Sequence, residues 1–245
     1  MERAETLSIT SKAIDYSDGD RTYEAYMAWD DSSSAPRPAV LVSHAWRGRS
    51  EFENGKAARL AELGYVGFAL DVYGKGVLGN SPEENAGLMQ PLLDDREVLQ
   101  RRLALALDEV RAQPEVDASR VAAIGFCFGG LCVLDLARSG ADLKGVVSFH
   151  GLFGSPGNTD GNRISAKVLA LHGWDDPMAT PDQVLSLASE LSSMGADWQI
   201  HGYGSTLHAF TNPQADDPAN GLQYSATADR RSWTTMRDFL QEVLA

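Results

Sequence analysis

Along the chain, short apolar, β-branched runs alternate with segments whose apolar positions recur at helical spacing. The runs at 23–29, 39–43, 66–70, 121–126, 145–149, 168–171 and 198–202 are expected as strands. Several are apolar throughout instead of alternating, as in strands buried on both faces of a parallel sheet. Between them, Leu99, Leu103, Leu107 and Val110 fall on one helical face, and the pattern stops before Pro114. Val184, Leu187, Leu191 and Met194 do the same, with Thr180 as N-cap, Pro181 at the first helical position and Gly195 as the stop. Trp233, Met236, Leu240 and Val243 mark a last helix. Strand and helix in alternation imply right-handed crossovers and a mostly parallel sheet covered on both faces, in one α/β domain spanning residues 1–245. The strand at 23–29 precedes the first crossover and is expected to pair antiparallel at one edge.

Composition narrows the function. The chain has 245 residues, and its 34 acidic and 21 basic side chains leave a formal charge of −13. No basic stripe interrupts that balance, so a nucleic-acid partner is not expected, because such binding draws on Lys and Arg meeting phosphate. The charged N-terminus, Met1-Glu-Arg-Ala-Glu-Thr, leads into no apolar stretch, and no apolar run is long enough to span a membrane. Two cysteines, Cys127 and Cys132, make neither a disulfide framework nor a zinc ligand set. These features give the expectation of a reduced, cytoplasmic protein that holds no metal.

The chemistry concentrates in Val121-Ala-Ala-Ile-Gly125-Phe126-Cys127-Phe128-Gly129-Gly130. An apolar strand runs into Gly-x-Cys-x-Gly-Gly and then into the helical stretch at 131–138, which is the nucleophile-elbow pattern with cysteine in the place of serine. A sharp strand-to-helix turn holds the nucleophile in a strained conformation, so the positions two before and two after it need glycine. The helix start favours a thiolate at Cys127 and turns the Phe128 N–H toward a developing oxyanion. Cys132, among Leu131, Val133 and Leu134, reads as core.

An acid and a base follow in the chain order this turn requires. The strand ending at His172 leads into Gly173-Trp174-Asp175-Asp176-Pro177, where Asp176 is the better candidate to orient a histidine and Asp175 the alternative. The base expected is His208, on the loop after the last strand; His201 lies inside that strand. His44 and His172 end strands beside the site and are expected to bond loop backbone, and His150 begins a glycine loop.

At these residues the sequence resembles the dienelactone hydrolase family of α/β-hydrolases. The likeness runs over nearly the whole chain, including Leu41-Val-Ser-His44-Ala-Trp-Arg-Gly48, the segment 63–74, the elbow, 172–177 and His208-Ala-Phe210. It implies the α/β-hydrolase fold, with a mostly parallel twisted sheet of about seven to eight strands and helices on both faces. It also implies hydrolysis of a small ester or lactone without a cofactor, by a monomer or homodimer. Cys127 would be the nucleophile, His208 the general acid and base, and Asp176 its orienting partner. The backbone N–H groups of Phe128 and Trp46 would form the oxyanion site. Lys75, Trp174, Phe210 and Asn212 would contact substrate, and Trp46 and Phe126 would add apolar walls.

Two positions depart from the family pattern. Ala45 stands where many members carry a glutamate that meets the resting cysteine, which leaves either a different ionisation of Cys127 or a carboxylate reaching in from Glu51 or Glu53. Asn212 stands where an arginine would meet a substrate carboxylate, which favours a neutral or bulkier ester over dienelactone itself. The competing expectations are a non-catalytic ligand-binding protein on the same scaffold and a thiol redox sensor built on Cys127.

Overall fold

The computed structural model describes residues 7–245, so the charged start at 1–6, read above as no leader, lies outside the described residues. In chain order the main elements are β1 (Ile9–Asp18), β2 (Arg21–Asp30), β3 (Arg37–Ser43), α1 (Glu51–Ala61), β4 (Val66–Ala69), α2 (Pro82–Asp94) and α3 (Arg96–Arg111). Then come β5 (Val116–Phe126), α4 (Phe128–Arg138), β6 (Gly145–Phe149), β7 (Lys167–Gly173), α5 (Pro181–Ser193), β8 (Trp198–Tyr203), the two-residue strands β9 (Asp216–Asp217) and β10 (Leu222–Gln223), and α6 (Ala226–Val243).

Eight strands form one sheet in the order β1-β2-β4-β3-β5-β6-β7-β8. From β4 to β8 all neighbours are parallel, whereas β2 is antiparallel to both β1 and β4. The expected antiparallel pairing of the 23–29 run is therefore present, but the edge belongs to β1. No strand is expected at β1 from the sequence, because only Ile14 and Tyr16 of its ten residues are buried, and so sparse an alternation is a weak signal.

The continuous apolar runs have the expected cause. In β3, Ala39 and Leu41 point into one core, whereas Val40 and Val42 point into the other. The first core also takes Leu99, Leu103 and Val110 of α3, the apolar residues of α4, and Val184, Leu187 and Leu191 of α5. The second is closed by Ala57 and Leu60 of α1 and by Trp233, Met236 and Leu240 of α6. Each residue of a central strand thus meets a helix whichever way it points. At about 25 cal/mol per Å² of apolar surface removed from water, this double burial is the main stabilising term.

The helix boundaries follow their caps. Thr180 caps α5 and exchanges hydrogen bonds with Gln183, Pro181 is its first residue, and Gly195 follows its end at φ +71°. α2 has no counterpart among the expected elements, because Pro91 lies inside it and most of it is exposed; its one sequence signal is Ser81 before Pro82, with the Ser81 side chain accepting from Glu84 N–H. Among the described residues, no helix is long and apolar enough to cross a membrane.

Candidate active site

β5 delivers Cys127 to a sharp turn. Its backbone is at φ 57°, ψ −118°, outside the regions an ordinary side chain prefers, a conformation costing of order 1–3 kcal/mol. The surroundings enforce it. A Cβ on Gly125 would lie 1.9 Å from the Gly129 carbonyl oxygen, and one on Gly129 would lie 2.1 Å from that of Ser43. Only glycine lets the end of β5, the start of α4 and the end of β3 come this close. The Cys127 N–H bonds the Phe149 carbonyl (3.0 Å) and also meets Nδ1 of His150 (3.2 Å). Its side chain is partly exposed at the floor of a cavity.

The loop after β7 carries Asp176 and the loop after β8 carries His208, both buried. Nδ1 of His208 lies 2.7 Å from Asp176 Oδ2, and the other carboxylate oxygen accepts the Met178 N–H at 2.8 Å. The Asp175 side chain is exposed, so tertiary placement selects Asp176 from the pair. With Nδ1 engaged, Nε2 of His208 is a buried nitrogen that no other group satisfies, and it is the ring nitrogen left for the thiol of Cys127.

These contacts set the charge state of the pair. Burial opposes ionisation of Cys127, but the adjacent His208 charge and the N–H groups of Phe128 and Trp46 outweigh it, so the thiol pKa falls below its usual value. Burial likewise opposes protonation of His208, yet the Cys127 thiolate and the Asp176 carboxylate hold its pKa up at about 10. Both shifts favour a thiolate–imidazolium pair over a neutral one. Cys132, wholly buried in α4, goes the other way, its thiol pKa pushed well up by desolvation.

Glu53 bears on the missing glutamate at position 45. Its Oε1 accepts the Ala45 N–H (3.3 Å), and its Oε2 accepts both the N–H and the hydroxyl of Ser50 (2.9 and 2.8 Å). The carboxylate does reach in from α1, but both oxygens are spent on holding the 45–53 segment. Glu51, first residue of α1, is exposed at the cavity rim.

The cavity encloses about 1300 Å³. Of the expected substrate contacts, Trp46, Phe126 and Asn212 line it, and three others do not. The Lys75 ammonium is held by Asp15 (2.6 Å) and Glu24 (3.2 Å), outside the cavity. Trp174 is 44% exposed and lies against Gly202 of β8, away from the cavity. Phe210 is wholly buried, with its ring against those of His150 and Tyr203. The apolar lining comes instead from Val77, Leu78, Met89, Leu152 and Met178, on loops and a helix with no local signature of a site.

His150 is the residue whose place beside Cys127 sequence reasoning missed. Its Nδ1 faces the Cys127 N–H and its Nε2 lies 2.8 Å from Thr211 Oγ1, so one ring ties the elbow to the loop that carries His208. Nδ1 accepts, so Nε2 carries the proton. Burial holds the pKa of this ring well down, keeping a second positive charge away from His208, whose ring centroid is 5.1 Å distant. The residue's φ of 37°, rare for a side chain with a Cβ, is the structural mark of that tie.

Comparison with known proteins finds likeness over nearly the whole chain. The family model described as the dienelactone hydrolase family matches residues 23–244. A solved structure titled m3DLH is 38% identical, with a TM-score of 0.92 over 97% of this chain and 99% of that one. A dienelactone hydrolase-like promiscuous phosphotriesterase, P91, from metagenomic libraries is 39% identical, with a TM-score of 0.91 over the same shares of the two chains. A protein of Yersinia pestis, provisionally described as a carboxymethylenebutenolidase, is 26% identical over 89% of this chain and 83% of its own length.

Proposed function

Because the chain belongs to the dienelactone hydrolase family, and is therefore a hydrolase of carboxylic esters or lactones, we propose that Cys127 is its nucleophile, His208 its acid and base, and Asp176 the residue that orients His208. The observation carrying this reading is the placement of a partly exposed, strained cysteine against a buried histidine that is itself bonded to a buried carboxylate.

The thiolate of Cys127 attacks the acyl carbonyl, and the oxygen that becomes negative takes hydrogen bonds from Phe128 N–H and Trp46 N–H. As the tetrahedral intermediate collapses, the C–O bond breaks and the His208 imidazolium gives its proton to the leaving alcohol or enol. The resulting thioester is cleaved by water, whose proton passes to His208 as the C–S bond breaks and the thiolate returns. A thiolate suits good leaving groups, such as enols and phenols.

The apolar cavity mouth, the engagement of Lys75 by two carboxylates and the uncharged Asn212 support a neutral, bulky acyl or leaving group over a carboxylate-bearing lactone. Likeness to P91, together with the width of the cavity, supports a neutral phosphotriester as a second substrate class.

The test is a panel of p-nitrophenyl esters, lactones and a phosphotriester. Cys127→Ala is expected to abolish p-nitrophenyl acetate turnover and Cys132→Ala to leave it largely intact. Mass spectrometry of an acid-quenched reaction should find the acyl group on Cys127. Equal residual activity in both variants overturns the assignment. No turnover across the panel beside saturable ligand binding would favour the binding-protein reading, and reversible peroxide oxidation of Cys127 with a change in function would favour the redox reading.

A further inference from the structure

Two N–H groups are assigned to the oxyanion, and they are held by different means. That of Phe128 belongs to the first turn of α4 and is aimed by the helix itself. That of Trp46 lies in the 45–50 segment between β3 and α1, where no helix or strand fixes it.

The Ala45–Trp46 peptide is trans, like every described peptide bond, so its C=O and N–H point in opposite directions from one plane. Whatever grips the Ala45 carbonyl therefore aims the Trp46 N–H. Two groups grip it: Nδ1 of His44 at 2.7 Å and the Gly48 N–H at 3.1 Å. A carbonyl cannot donate, so His44 Nδ1 carries the proton. At the far side of the same ring, Nε2 accepts the Val72 N–H at 3.3 Å, which fixes that tautomer. The ring is wholly buried, edge-on to Tyr73 with centroids 4.7 Å apart, and the Tyr73 hydroxyl donates to the Trp46 carbonyl at 2.9 Å.

We propose that His44 is the positioning residue of the oxyanion site, holding the Ala45 carbonyl through Nδ1–H so that the Trp46 N–H faces the oxygen that becomes negative in the reaction. This role rests on the reading of Cys127 as nucleophile. His44 touches neither substrate nor sulfur in it, and it acts through one peptide plane.

The test uses His44→Asn, His44→Gln and His44→Leu in the full chain, with p-nitrophenyl acetate as substrate. Asparagine places an amide N–H where Nδ1 stands and keeps the donor to Ala45; glutamine can replace only Nε2, and leucine neither. Expected are kcat losses of about 10- to 100-fold for Gln and Leu, part of the 10²- to 10³-fold that removal of an oxyanion donor costs, with most activity recovered by Asn and KM nearly unchanged. Binding of a trifluoromethyl ketone, which forms a tetrahedral oxyanion on Cys127, should weaken by the same factor as kcat/KM. The limiting rate of iodoacetamide alkylation at high pH, which needs the thiolate but no oxyanion donor, should stay within about twofold.

A merely structural role would lower all three measures together and would not distinguish Asn from Gln, and either outcome overturns the proposal. Activity surviving in Cys127→Ala would instead overturn the nucleophile assignment beneath it. If the Leu variant does not fold, the Asn and Gln pair carries the comparison.

Discussion

The His208 imidazole and the Asp176 carboxylate meet at 2.7 Å with both side chains buried, although 32 residues separate them in the chain. In the proposed triad Asp176 therefore selects the ring nitrogen left for Cys127 and stabilises the imidazolium. Replacement by asparagine retains the shape but removes the charge and favours the wrong tautomer. We expect Asp176→Asn to lower kcat about 10³- to 10⁴-fold with an unchanged circular dichroism spectrum; a loss below tenfold in steady-state assays would remove Asp176 from its role.

The two cysteines should differ sharply in reactivity. Cys127 is partly exposed with a lowered pKa, whereas Cys132 is sealed in α4 with its pKa raised. Iodoacetamide at neutral pH should add one carbamidomethyl group to the folded protein, at Cys127, and a second only after denaturation. Peptide mapping finding early label on Cys132 would contradict this.

The pH profile of kcat/KM should be bell-shaped, with the sign of each limb set by one partner. Below the lowered pKa of Cys127 the pair is thiol and imidazolium, and there is no nucleophile. Above about 10, His208 loses the proton that the leaving group needs. The plateau should thus open below the ordinary thiol pKa and close near pH 10. In Cys127→Ala the thiolate that helps to hold the His208 proton is gone, so the imidazole should titrate at lower pH, as observable by NMR.

Lys75 should be silent in catalysis. Its ammonium is engaged by Asp15 and Glu24, and those contacts raise its pKa. Lys75→Met is expected to change kcat/KM less than twofold for neutral esters and for a carboxylate-bearing lactone alike. A selective loss on the anionic substrate would show that Lys75 leaves its partners to bind it.

Gly125 should tolerate no side chain. A Cβ there meets backbone at 1.9 Å, and backbone cannot swing aside as a flexible side chain can. We expect Gly125→Ala to destabilise the fold by about 1–3 kcal/mol in denaturant titration, and to lower kcat about 10²-fold by misplacing the Cys127 sulfur.

How much of this was legible in the chain depends on the distance over which each feature is determined. Strands β3 to β7 could be read because burial on both faces writes itself as an apolar run, and α5 because Thr180, Pro181 and Gly195 mark its ends locally. The elbow was readable for the same reason: its steric demand falls on residues within two or three positions of Cys127. β1 escaped because an edge strand buries few residues, and α2 because its exposed face and internal proline leave little periodic pattern.

The sequence by itself determined the α/β layering, the strained turn at Cys127 and the chain order of cysteine, acid and histidine. Tertiary structure alone decided that Lys75 is claimed by Asp15 from 60 residues earlier, that Glu53 is spent on backbone, and that His150 and His44 bond the backbone at Cys127 and Ala45. The physical reason is one of range. Steric and burial demands act on neighbours in the chain and leave a pattern there, whereas a hydrogen bond between loops depends on where the sheet brings them, and nothing in the local spacing records that meeting.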